Sequence, residues 1–173
     1  MIIIRNFEIA GIFIIFIMSF LLHELYDMTG QNIIVGVFAP INESIWEHMK
    51  MGFFAVIFYS MIEYYFIRGI SNNFFLAKGI LVILLPAMIA IGHIVYTTIL
   101  GRHIVLIDII NLFIWIGIGQ LISYKILTLE KNYLTLNKTC LVFIIFMMLA
   151  YIVFTFVQPN LSIFQEPKTS IEK

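Results

Sequence analysis

The chain has 173 residues, 62% of them hydrophobic and only 12% charged, and no net formal charge. Soluble domains are about half apolar and about a quarter charged, so this composition belongs to the membrane class and the length to one domain. Zero net charge offers nucleic acid no electrostatic grip, and the single Cys140 excludes an internal disulfide and a cysteine-based metal framework.

A helix needs about 20 mostly apolar residues to cross about 30 Å of hydrocarbon, and five segments meet that test, at about residues 7–26, 46–67, 74–100, 104–127 and 139–157. A backbone in lipid must satisfy its own hydrogen bonds, so the expected fold is an all-α polytopic helix bundle with the bilayer as its surroundings. Arg5 followed by an apolar run has the outline of a secretory signal. That run ends in His23-Glu24 with no small-x-small cleavage pattern, so it reads as an uncleaved first span.

The next connection contains the apolar run 33–39, too short to span, which reads as an interfacial or re-entrant segment. Pro86 lies inside the third span and is expected to kink it. Gly101 suits the left-handed end of a helix, and only residues 101–103 separate spans three and four, which makes those spans antiparallel neighbours. The sequence carries no internal repeat, the usual mark of inverted-repeat transporters.

Lys and Arg near span ends set orientation. With a cytoplasmic N-terminus, Arg5, Arg68, Lys78, Lys125, Lys131 and Lys138 lie inside and Lys50, Arg102, Lys168 and Lys173 outside. Six against four favours a plasma-membrane protein with its N-terminus in and its C-terminus out. Five short spans leave little interior volume, which a homo-oligomer or a membrane partner would supply.

Counting spans places all four histidines in one half of the membrane. His23, Glu24 and Asp27 end span one, and Asn42 to His48 open span two. His93, Tyr96 and Thr97 lie near the end of span three, and His103, Asp108 and Asn111 open span four. Glu43 and Glu47 stand at i,i+4 and are expected to share a face, with His48 offset by about 100°. A charge in lipid costs several kcal/mol, so Asp108 is expected to face the bundle and pair with His93 or a Thr hydroxyl.

Simpler roles compete for single residues. Ser44-x-x-Glu47 has the form of a capping box, and Asn42 is an alternative cap with Glu43 favoured by the helix dipole. Trp46 reads as an interfacial anchor, Lys50 as snorkelling to the head groups, and His23 and His103 as solvated span ends. Glu63 is expected at the interface or on Arg68, and Gln120 and Ser123 in hydrogen bonds between helices.

The chemistry left over is carried by Glu43, Glu47, His48, His93 and Asp108, with His23 and Tyr96 nearby. His and carboxylate suit a divalent metal such as zinc or manganese, with His48, His93 and Glu47 as candidate ligands. Neither His-Glu-x-x-His nor His-x-x-x-His occurs, so several helices must supply the site. Phosphate loops, Gly-x-Ser-x-Gly elbows, Cys/His zinc modules and the Glu-Glu pair of prenyl-protein-processing membrane proteases are also missing. Three readings follow. The first is metal-assisted hydrolysis of a lipid or membrane-borne substrate, the second an ion- or proton-coupled transporter or channel, and the third an accessory subunit with a structural polar latch.

The motif Asn42-Glu43-Ser44-x-Trp46-Glu47-His48-x-Lys50 follows a short apolar loop. Tyr96-Thr97-x-Ile99-Leu100-Gly101 leads to Ile107-Asp108-Ile109, and the tail reads Phe154-Thr155-Phe156-x-x-Pro159 with Phe164-x-x-Pro167. In these stretches the chain resembles an uncharacterised family of small five-span bacterial integral membrane proteins. It departs from that pattern at Asn160 and Glu166, where Pro and Asp are expected. The resemblance implies the five-span architecture and supplies no activity.

Overall fold

A computed structural model describes residues 1–166. Among the described residues the chain is all-helical. The elements are α1 (Ile2–Met28), α2 (Ile33–Gly36), α3 (Ile45–Ile67), α4 (Phe74–Leu100), α5 (Val105–Leu127), α6 (Leu134–Phe156) and a short 3-10 turn (Ser162–Phe164). All but α2 and the turn are long and apolar enough to cross a membrane, which makes five candidate spans and a multi-pass membrane protein. The helices α1 and α6 begin five residues before the apolar stretches that announce them. In α1 the early start buries Ile4 against Ile67, Phe74 and Leu127.

Helices α1, α3, α4 and α5 close a ring in which each packs on two neighbours, and α6 lies outside against α4. Within the ring α3 is the most buried helix, while α1, α5 and α6 turn Ile9, Ile17, Leu121, Phe146 and Val153 outward as a lipid-facing surface would. Pro86 is buried within α4, which runs through it without interruption. At the end of α4, Gly101 takes φ 66°, and its N–H closes the last turn on the Thr97 carbonyl at 2.9 Å.

Polar residues repeat along the ring with one spacing. Fifteen residues separate Glu8 from His23, His48 from Glu63, Lys78 from His93, and Asp108 from Ser123, or about 22 Å at 1.5 Å per residue. The bundle therefore carries two polar layers. Between them Ile15, Val56, Leu85 and Ile116 are fully buried in one apolar cluster.

Three residues lie elsewhere than their sequence context suggests. Lys50 does not snorkel. It is fully buried, and its ammonium donates to the Gly36 carbonyl at 2.9 Å and the Thr155 hydroxyl at 2.9 Å while pairing with Glu47 at 2.6 Å. That bond ties the loop after α2 to the bundle, with Gly36, Ala39 and Pro40 buried and Ile33 and Ile34 exposed. Trp46 is not an interfacial anchor but is packed among Tyr151 and Phe164, with ring centroids 4.7 Å away in each case. Glu63 reaches neither the interface nor Arg68; it is buried on Lys78 at 2.5 Å.

Two buried lysines also change the charge asymmetry. Without Lys78 and Lys50, the six against four basic residues become five against three. Two of those three, Lys168 and Lys173, lie outside the described residues, as does Pro167 of the tail motif.

Candidate functional site

One polar layer opens into a cavity of about 450 Å³ enclosed by α1, α3, α4, α5 and the C-terminal segment. Phe20, Met51, Ile89, Ile109 and Leu112 give it an apolar lining, and all four histidines, Glu24, Glu43, Asp108 and Glu166 give it a polar one. The arrangement follows from where the helices stop. α1 ends shortly after His23, α3 begins just before His48, α4 ends after His93, and α5 begins just before Asp108.

On one wall His23, Glu43 and His48 converge. Ser44 caps α3, its hydroxyl accepting the Glu47 N–H at 3.3 Å, which leaves Glu43 on the loop and places His48 in the first turn. His48 Nδ1 lies 3.0 Å from the Ser44 carbonyl, which can only accept, so Nδ1 carries the hydrogen and Nε2 presents a lone pair. His23 Nδ1 is held at 2.9 Å by Glu24 Oε1, which likewise frees Nε2. From Glu43 Oε2, His23 Nε2 is 3.6 Å away and His48 Nε2 is 3.5 Å away.

These separations are long for hydrogen bonds, whose N···O distances run at about 2.7–3.2 Å. They suit ligands around one ion: metal–ligand bonds of about 2.0–2.2 Å at tetrahedral angles put neighbouring donor atoms about 3.4 Å apart. The outer contacts suit it as well, because metal-bound histidines usually donate their other ring N–H to a carboxylate or a backbone carbonyl. Three protein donors leave a fourth position open, as in catalytic zinc sites.

On the facing wall His93, His103 and Asp108 also bring ligand-type atoms within 4.8 Å of one another, but here the contacts are closed hydrogen bonds. Asp108 Oδ1 meets His93 Nδ1 at 3.1 Å, and Oδ2 meets His103 Nε2 at 2.7 Å and accepts the Tyr96 hydroxyl at 2.7 Å. Both carboxylate oxygens are occupied by groups that hold or move protons. One wall is therefore spaced more widely than hydrogen bonds, and the other is closed by them.

Glu47 takes no part. The i,i+4 face it would share with Glu43 needs both residues in one helix, but α3 starts at Ile45 and Glu43 precedes its cap. Glu47 is fully buried beside Lys50, and also accepts from the Ile41 N–H at 3.1 Å and the Thr155 hydroxyl at 2.9 Å. The ligand set His48, His93 and Glu47 is corrected accordingly: His48 stands with His23 and Glu43, and His93 is engaged by Asp108. His23 and His103, set aside as solvated ends, both line the cavity, and Glu24 and Glu166 join them. The grouping of all four histidines in one half of the membrane was the signal for the first two.

No curated protein and no solved structure matches the chain. A family model matches residues 2–171, nearly the whole sequence. A helical bundle with a His/carboxylate cavity at one end is thus the architecture of a chain that belongs to the family of unknown function DUF6512.

Proposed function

We propose that the cavity is a metal-dependent hydrolytic site for an amphipathic, membrane-borne substrate. The observation that carries this reading is that Glu43 Oε2 stands 3.6 Å from His23 Nε2 and 3.5 Å from His48 Nε2, too wide for hydrogen bonds and close to two edges of a tetrahedral metal site, with all three ligand atoms within 4.8 Å of one another. In this reading the three residues would hold a divalent ion of the zinc class, which when bound would supply Lewis-acid activation of a water and of the scissile group. Asp108, held by His93, His103 and the Tyr96 hydroxyl, would serve as the acid–base group of the cavity, with the two imidazoles as its proton-exchanging partners. The apolar lining takes the hydrophobic part of the substrate. The chain sits in the plasma membrane of a bacterial cell with its N-terminus cytoplasmic, so the cavity faces the extracytoplasmic side.

The apolar layer favours this reading over a channel or transporter, because Ile15, Val56, Leu85 and Ile116 set fully buried aliphatic side chains from all four ring helices midway between the two polar layers. The test is elemental analysis of protein purified in detergent with zinc in the buffers, alongside hydrolysis of a fluorogenic long-chain acyl ester in mixed micelles. About one metal per chain is expected, lost in His23→Ala and His48→Ala and kept in Glu47→Gln. Metal-free native protein, or metal content indifferent to both histidines, refutes the site. Full metal without hydrolysis of any ester, amide or phosphoester probe refutes the reaction and leaves the site standing.

A further inference from the structure

The second polar layer, about 22 Å from the cavity, is sealed and carries unequal charges. Glu8 of α1 and Glu63 of α3 are 3% and 0% exposed, and Lys78 of α4 between them is 1% exposed. Lys78 Nζ donates to Glu8 Oε1 at 2.9 Å and to the Ser123 hydroxyl at 3.0 Å, and meets Glu63 Oε2 at 2.5 Å. Two of the ammonium's three hydrogens go to Glu8 and Ser123, and the Glu63 contact is an ion pair. Ser123 passes its own hydrogen to Glu8 Oε1 at 2.8 Å.

The other groups facing the layer bring no further charge. From α3 the Tyr59 hydroxyl donates to the Phe7 carbonyl, and from α5 the Gln120 amide donates to the Glu8 carbonyl at 3.3 Å. Cys140 is the titratable group that α6 sets against this end of α4, packed on Gly79. Glu8 Oε2, both Glu63 oxygens and Gln120 Oε1 are buried acceptors with no hydrogen-bond donor among the described residues, Glu63 Oε2 meeting Lys78 as an ion pair only.

With both carboxyls ionised, one ammonium faces two carboxylates and a whole negative charge stays in the apolar interior with acceptors unfilled. A lone charge there costs several kcal/mol or more, and a bound cation removes both defects together. We propose that Glu8 and Glu63 together bind one proton, so that the layer is a neutral proton-binding site within the membrane. The proton fills one of the vacant carboxylate oxygens and becomes a donor to another acceptor. The site is independent of the metal reading, since it shares no residue with the cavity.

The experiment is infrared spectroscopy of the intact protein in lipid nanodiscs at neutral pH, with glutamate carbon-13 labelling to mark the band. Native protein should show the carbonyl stretch of one protonated glutamic acid per chain, displaced by the label and by deuterium oxide. Glu63→Gln and Glu8→Gln should each abolish it, because the remaining carboxylate is then matched by Lys78. Glu24→Gln should leave it unchanged. In Lys78→Met both carboxyls must be neutral, so the band should double. Native protein without a glutamic acid band overturns the proposal even if every variant fails to fold. So does a band indifferent to Glu8 and Glu63, or one that sodium displaces at constant pH, which would make the layer a metal-cation site.

Discussion

Replacing Lys50 by Met tests whether Glu47 belongs to a strut rather than to the cavity. The ammonium is fully buried; it donates to Thr155 and the Gly36 carbonyl, each at 2.9 Å, and pairs with Glu47 at 2.6 Å. Met fills similar volume, so packing changes little, but the sealed Glu47 carboxylate loses its counter-charge. Breaking a buried pair from one side costs about 3–5 kcal/mol, and stranding the Gly36 carbonyl adds about 1–3 kcal/mol. That is a large share of a total stability of about 5–15 kcal/mol. At about 2–4 °C per kcal/mol for a chain of this size, Lys50→Met should unfold at least about 8 °C early. Glu47→Met should cost a similar amount by stranding the ammonium. The double replacement leaves neither charge buried and should recover most of the loss, since apolar substitutes for a buried pair are often neutral or better. The assay is thermal unfolding in detergent followed by circular dichroism, with metal content measured on each folded variant. Additive losses in the double variant, or single losses below about 1 kcal/mol, refute the strut. Loss of metal from the folded double variant returns Glu47 to the site.

Three further changes probe other links. Asp108→Asn should retain the metal of the native protein and lose at least about a hundredfold in hydrolysis, the usual contribution of a positioned acid–base group, as read by ester turnover beside elemental analysis. Gly11→Ala places a methyl 1.8 Å from Gln120 Nε2 and 2.7 Å from Tyr59 Cε1. It should therefore cost about 1–3 kcal/mol in thermal unfolding by forcing α1 away from α3 and α5. Phe164→Ala uncovers Trp46, whose ring it contacts with centroids 4.7 Å apart; in a Trp115→Phe background its fluorescence should move to longer wavelength and become accessible to iodide.

The helices were legible because lipid imposes a length and a polarity on each of them, and because Gly101 is a terminator that composition cannot hide. The gathering of histidines was legible for the same reason, since spans of known length carry residues to known depths. What single-sequence reasoning could not supply was rotation about each helix axis. Glu43 and Glu47 shared a face on paper because the start of α3 was not fixed to Ser44. Lys50 and Lys78 passed for interfacial charges because, besides Glu47 and Glu63, each is held by a partner far along the chain, Thr155 at 105 residues and Glu8 at 70. Depth was written in the sequence, but of the pairings only that of Asp108 with His93, across a three-residue turn, was.

The motif from Asn42 to Lys50 shows why both kinds of chemistry fit in one short stretch. Asn42 Oδ1 accepts the Ser44 N–H at 3.0 Å and the Ser44 hydroxyl accepts that of Glu47, which fixes the entry of the chain into α3. Once that entry is fixed, Glu43 and His48 turn to the cavity, while Glu47 and Lys50 turn into the bundle toward α6 and the α2 loop. The buried pair holds down the turn from which Glu43 projects, so the polar residues that line no cavity position those that do. Any change that releases Lys50 should therefore loosen Glu43 and weaken metal affinity, whereas the apolar double replacement should restore both together.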